Sequence, residues 1–173
     1  MTNKKHTILK YWRRPFPPRI VGLNFISDNY ILRTFEFTES CKYILDSGDQ
    51  YDWNKLFGFS AGLFGIHKNS ARFAWRYNPE TNKIEIAAYC YIDGERYWNI
   101  MHAVDVNTIL NYKISILKDS VVFTILDDLI PVAKYHMHFN INLKDAPKYE
   151  CGIYFGGNRR APHRIKILEH YTD

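Results

Sequence analysis

Two neighbouring runs alternate so strictly that little choice of local structure remains. From Ala71 to Tyr77, the residues Ala71, Phe73, Trp75 and Tyr77 alternate with Arg72, Ala74 and Arg76. From Ile84 to Ile92, the residues Ile84, Ile86, Ala88, Cys90 and Ile92 alternate with Glu85, Ala87, Tyr89 and Tyr91. A period of two sends successive side chains to opposite faces of an extended strand, so each run has one face suited to a core. Between them Asn78-Pro79-Glu80-Thr81-Asn82-Lys83 supplies turn formers, and the whole reads as a β-hairpin. Keeping both apolar sets on one side pairs Tyr77 with Ile84. The same register sets Arg76 opposite Glu85 and Arg72 opposite Tyr89.

The pattern recurs along the chain. Tyr112, Ile114 and Ile116, the turn Lys118-Asp119-Ser120, and Val121, Phe123 and Ile125 form a second hairpin pattern. Tyr135, Met137, Phe139 and Ile141 alternate with His136, His138 and Asn140. Tyr149 to Phe155 and His163 to Tyr171 are strand candidates near the end, and Arg19 to Phe25 and Tyr30 to Thr38 are candidates near the start. No long segment carries an apolar stripe with a 3.6-residue period, and aromatic residues reach 16%. Helices are therefore expected to be few and short, and an antiparallel sandwich or barrel is the natural way to bury so many one-faced strands. A chain of 173 residues, 46% apolar, fits one domain spanning residues 1–173.

Charge and cysteine content narrow the function classes. The formal net charge of +5 arises from 23 basic and 18 acidic residues that are mostly scattered, which is a weak attraction for anions and no nucleic-acid signature. Tyr11-Trp12-Arg13-Arg14-Pro15-Phe16-Pro17-Pro18 mixes aromatics, bases and prolines, but no nucleic-acid-binding module follows it, and a polyproline arm across the sandwich is the expectation. Cys41, Cys90 and Cys151 lack C-x-x-C spacing and read as reduced thiols. The basic N-terminus has no apolar run of signal-peptide length, and no stretch approaches the roughly 18 apolar residues of a membrane span. A soluble cytoplasmic protein without a membrane partner is expected, with homo-oligomerisation left open.

Gly58-Phe59-Ser60-Ala61-Gly62 spells G-x-S-x-G, the pattern of a serine nucleophile elbow. That device needs a strand entering a sharp turn and a helix leaving it above a parallel sheet. No helical pattern follows Gly62, so Ser60 is expected to be an ordinary serine at a strand end, with Gly58, Gly62 and Gly65 permitting unusual backbone angles.

Two stretches, GFSAGLFGIHKNSARFAWRYN and YFGGNRRAPHRIKI, resemble motifs of a group of small uncharacterised bacterial proteins. The succession of strands from about Lys55 onward is similar to the concanavalin A-like jelly roll of lectins, laminin-G modules and several polysaccharide lyases and glycosidases. The resemblance implies an all-β fold, an antiparallel two-sheet jelly-roll β-sandwich, with a curved sheet whose polar concave face commonly holds sugar. Paired acids at the short spacing of jelly-roll glucanases are missing, as is the acidic-asparagine loop of a legume-lectin calcium site.

On the polar face of the first hairpin, Arg72, Arg76, Glu85, Tyr89 and Tyr91 project together, and His136 and His138 share one side of a later strand. If these strands belonged to one sheet, arginines to hold a carboxylate, tyrosines to stack on a sugar ring and imidazoles to move protons would meet in one site. Carbohydrate binding, for acidic saccharides in particular, is the expected role. Alternatives are a saccharide-active enzyme, in which Arg neutralises a uronate while His or Tyr takes the adjacent proton, and a structural or oligomerising module. In a purely structural reading, Arg76 and Glu85 form a surface cross-strand pair worth about 0.2–1 kcal/mol. The His136-x-His138 pair would need a third ligand from His67, His102, Glu85 or His163 to hold a metal, and no metal or other cofactor is expected. In the loop from Tyr154 to His163, Gly156 and Gly157 permit close backbone approach, and Asn158 and Arg159 are candidates for a hydroxyl and an anion.

Overall fold

The computed structural model describes residues 2–16, 25–46, 48–62 and 65–171. Its strands in chain order are β1 (Thr2–Ile8), β2 (Pro15–Phe16), β3 (Tyr30–Phe37), β4 (Asn54–Ala61), β5 (Ser70–Asn78), β6 (Lys83–Ile92), β7 (Glu95–Val104), β8 (Ile109–Ile116), β9 (Ser120–Asp127), β10 (Ile130–His138), β11 (Lys148–Cys151) and β12 (Ile165–Tyr171). Two 3-10 turns, Glu39–Cys41 and Gly48–Tyr51, are the only helical segments among the described residues. The strands form a seven-stranded sheet, β10-β9-β8-β3-β12-β1-β2, and a five-stranded sheet, β11-β4-β5-β6-β7, with every pairing antiparallel. One core lies between them. Phe37, Phe73 and Trp75 meet Tyr112, Phe123 and Phe155 there, with Phe73 set edge-on to Phe123 at 5.1 Å.

The first hairpin has the register expected from alternation: Tyr77 faces Ile84, Arg76 faces Glu85 and Arg72 faces Tyr89. The inward set Ala71, Phe73, Trp75, Ile84, Ile86, Ala88 and Cys90 is buried in the core. The second hairpin forms as β8 and β9. The strand around His136 begins earlier than its alternation suggests, at Ile130, and ends at His138, with one further bond in the same register from the Phe139 amide to the Asp119 carbonyl at 2.7 Å. Arg19 to Phe25 lies outside the described residues except for Phe25, which bridges to Tyr149.

Three strands escape a period-two reading, each for a local reason. In β4 a bulge between Lys55 and Phe57 sends both Leu56 and Phe57 to the core, and the whole strand is buried. In β7 a register shift opposite Ile86 and Ala87 interrupts the alternation of an edge strand that is exposed over most of its length. In β1 the position paired with Ile167 is His6, whose Nε2 meets Glu169 at 2.7 Å, so a buried polar pair replaces apolar contact.

The hairpin register makes a chemical prediction. Cys90 is fully buried and burial pushes its thiol well above the ordinary range, so little nucleophilic thiolate forms. A thiol reagent is expected to leave Cys90 unmodified in the native protein and to label it on unfolding. Rapid native-state labelling would contradict the inward register.

Candidate functional site

The outward face of the five-stranded sheet carries a hollow, and the sequence pattern explains how it arises. Ala74 on β5 and Ala87 on β6 are adjacent in the ladder and present only methyl groups, so the sheet surface is low there. Larger side chains stand around this floor: Lys55 pairs beside Ala74, Tyr89 sits two residues along β6, and Trp98 lies opposite Tyr89 on β7. Trp53, just before β4, packs on Ala74, Ala87 and Tyr89 and reaches Trp98 at 5.5 Å between ring centres. The result is an open hollow of about 180 Å³ bounded by Lys55, Tyr89, Trp53 and Trp98, with Arg76, Arg96, Tyr51, Asp52 and Gly157 completing its wall. A neighbouring crevice between Tyr43, Asp49 and Phe155 has no room for a water-sized molecule.

The charges around the hollow are mostly cationic and unequally paired. Arg76 is fully engaged. Its Nε donates to Glu85 at 2.7 Å, its Nη1 donates to the Tyr51 carbonyl at 2.8 Å, and its guanidinium lies 4.2 Å from the Trp53 ring centre. The Arg76 and Glu85 side chains are each only 13% exposed, and Asn78 Nδ2 donates to the second Glu85 oxygen, so this is an ordered, largely buried pair rather than the loose surface pair the alternation suggested. Arg72 is different. It is 6% exposed, packs 5.4 Å from the Tyr89 ring centre, and forms no hydrogen bond or ion pair among the described residues, its Nε being fully buried. Burial lowers its pKa. Four buried side-chain polar atoms among the described residues lack a partner, and two of them, Trp53 Nε1 and Arg72 Nε, belong to this face.

Lys55 is the group that sequence reasoning missed. Its Nζ donates to the Trp53 carbonyl and lies 4.0 Å from the Tyr89 ring centre. Burial foremost, then the positive charges of Arg72 and Arg96, pull its pKa down to about 7 against the weaker pull of Asp52. Tyr89 moves the opposite way: burial, with the Tyr91 hydroxyl beside it, pushes it up to about 12 and keeps the phenol protonated. No pattern around Lys55 signals this, because its cover comes from Trp53 and β6, and its repulsive neighbours from β5 and β7.

The other candidates separate. Tyr91 lies on the outward face opposite Arg96, with the His67 ring 5.1 Å away. His136 and His138 do share one side of their strand, with ring centres 4.6 Å apart. However, β10 is the edge of the seven-stranded sheet, and both residues are exposed, so they do not join Arg72, Glu85 and Tyr89 in one site. The pairing of strands into sheets is set by distant contacts that a local period does not carry. Among the described residues no three His, Cys, Asp or Glu side chains gather to hold a metal. Asn158 and Arg159 are turned to internal acids: the Asn158 amide donates to Asp52 at 3.0 Å, its Nδ2 to Asp49 at 3.1 Å, and Arg159 Nε to Asp49 at 2.9 Å. Gly157 is needed there because a Cβ would fall 2.1 Å from the Asp52 carboxylate. The loop thus walls the hollow with backbone. Arg13 fastens it by donating to the carbonyls of Gly157 and Asn158, at 2.8 and 3.0 Å.

Ser60 lies in β4, hydrogen-bonded as a strand to β5 and β11, and its hydroxyl points to the Gly62 carbonyl at 3.4 Å. No helix follows. Gly58 answers a packing need: a Cβ would strike the Ala71 carbonyl and sit 2.9 Å from Arg72 Cγ, so glycine lets Arg72 cross β4. An active-site serine probe is expected to leave Ser60 unlabelled, and covalent labelling there would overturn this assignment.

No protein-family model matches the chain, and a search of curated proteins finds no match either. Among solved structures it is similar to the alginate lyase from Klebsiella pneumoniae, with a TM-score of 0.59 and 11% identity over 81% of this chain and 56% of that one. The chain therefore spans little more than half the length of that neighbour. It is also similar to a native glycosidic hydrolase, with a TM-score of 0.52 and 12% identity over 96% of this chain and 74% of that one. The chain shares with these neighbours the fold alone, an antiparallel two-sheet jelly-roll sandwich.

Proposed function

We propose that this protein binds an anionic saccharide in the hollow on the outward face of the five-stranded sheet. The observation that carries this reading is the pairing of cations that have no counter-charge with an exposed aromatic platform. Arg96 lines the hollow and Arg72 flanks it; neither forms an ion pair among the described residues, and Trp98 is 46% exposed beside them. A sugar ring can stack on the indole while its carboxylate or sulfate meets the guanidinium. That the fold neighbours are named as a lyase of alginate and a glycosidic hydrolase agrees with a saccharide ligand.

The test is an array of uronate-containing, sulfated and neutral oligosaccharides, followed by calorimetry on Arg96→Ala and Trp98→Ala. Both side chains are exposed, so stability should change by about 0.5 kcal/mol or less. Loss of the arginine is expected to weaken binding roughly tenfold to a hundredfold, the value of a charge-assisted hydrogen bond. If no anionic glycan binds, or if both variants bind as tightly as the wild type, the reading fails.

A saccharide-active enzyme is the second reading, favoured by one observation, the near-neutral amine of Lys55 in the hollow. His136 and His138 lie on the other sheet and Tyr89 holds its proton, so Lys55 is the base such chemistry would use. Release of an unsaturated, ultraviolet-absorbing product from a polyuronate would favour it, and binding without turnover would exclude it.

A further inference from the structure

The hollow proposed above to bind a saccharide contains a lysine whose surroundings suit bond formation better than ion pairing. The chain offers its own comparison. Lys55 and Lys148 are equally buried, each 8% exposed. Lys148 Nζ donates to three carbonyls, those of Leu143, Lys144 and Ala146, at 2.8, 3.2 and 3.0 Å. Three donors meet three acceptors, as a buried ammonium requires. Lys55 Nζ has one acceptor, the Trp53 carbonyl, and pairs with no carboxylate among the described residues. The groups facing it are the Tyr89 ring from β6, Arg72 from β5 and Arg96 from β7, with Asp52 the nearby acid. An ammonium here has one protein oxygen and one ring face and sits among like charges, whereas a neutral amine satisfies one N–H and keeps its lone pair. A desolvated lysine beside other cations is a known route to an amine that is nucleophilic near neutral pH.

We propose that Lys55 Nζ is a carbonyl-reactive amine that forms an imine with a small aldehyde or ketone bearing an anionic group. The amine lies on the boundary of the 180 Å³ hollow, and Arg96, on the same boundary, supplies a positive charge for the anionic end. The nitrogen lone pair attacks the carbonyl carbon, forming the C–N bond as the C=O π electrons move to oxygen. The nitrogen then loses its two protons, which leave with that oxygen as one water, and the C=N bond closes. No redox agent is needed.

The proposal rests on the same hollow as the saccharide reading but not on its ligand. Saccharides lacking a free aldehyde test that reading by calorimetry, and imine capture tests the amine alone, so either can fail without the other. The experiment is incubation of the intact protein with glyoxylate and cyanoborohydride at pH 7, followed by peptide mass mapping for N-carboxymethyl-lysine. Lys55 is expected to be modified at least tenfold faster than Lys148 and than exposed lysines such as Lys118. Its rate should level off above about pH 7 while those of exposed lysines keep rising. Arg96→Ala should slow capture of both aldehydes, because the amine regains part of its basicity, but slow glyoxylate severalfold more than acetaldehyde. Labelling of Lys55 at or below the rate of the exposed lysines overturns the proposal, and an equal change of the glyoxylate and acetaldehyde rates in Arg96→Ala overturns the anionic requirement.

Discussion

Replacing Lys55 with methionine is expected to stabilise the fold at pH 6 and to lose that advantage as the pH rises. The folded-state pKa of about 7 lies below the ordinary lysine value of 10.5, so burial opposes the charged form. Below about pH 7 the lysine is charged in both folded and unfolded chains, and the fold bears the whole cost of holding the charge. Between about 7 and 10.5 unfolding takes up a proton, so wild-type stability climbs with pH, and above that window the cost vanishes. Methionine fills similar space without the charge. The expected gain at pH 6 is about 2–4 kcal/mol, shrinking toward zero near pH 10. Urea unfolding of both proteins at the two pH values measures it; a gain independent of pH, or none at pH 6, would show that the amine is not under strain. A residue that costs stability at working pH is one whose retention calls for a functional reason.

Arg76→Ala is expected to act in the other direction, destabilising the protein by about 2–4 kcal/mol, well beyond the value of a surface pair. The guanidinium holds Glu85, fastens the Tyr51 carbonyl and lies over Trp53, so its removal strips three contacts and leaves a largely buried carboxylate with Asn78 as its remaining partner. The Arg76→Ala, Glu85→Ala double variant should recover part of the loss, because no charge is then left unpaired. Denaturant titration of the single and double variants decides it. A single-variant loss below about 0.5 kcal/mol would return the pair to the ordinary exposed class.

These two arginines mark how far local reasoning reaches. Arg72 and Arg76 stand two positions apart on one strand, face the same way and pair as the alternation requires. Yet one is a neutralised brace and the other a buried cation with no ion pair among the described residues, because Glu85 is opposite Arg76 while an uncharged phenol, Tyr89, is opposite Arg72, and because Tyr51 and Trp53 arrive from a separate loop. The hairpin turn and the cross-strand partners were legible; the burial that changes what those partners do was not.

The all-β character, the two hairpins and the inward set from Ala71 to Cys90 follow from local pattern, since a side-chain period of two survives in any fold that buries one face. Which strands share a sheet was settled by long-range packing. It sent His136 and His138 to the edge of one sheet and Tyr89 to the other, and it brought Tyr89, Arg72 and Arg96 to Lys55 from three other strands, β6, β5 and β7. Long-range pairing depends on the summed packing of two faces and not on any segment's own pattern, and a lysine's basicity depends on the water and charge that packing removes or supplies.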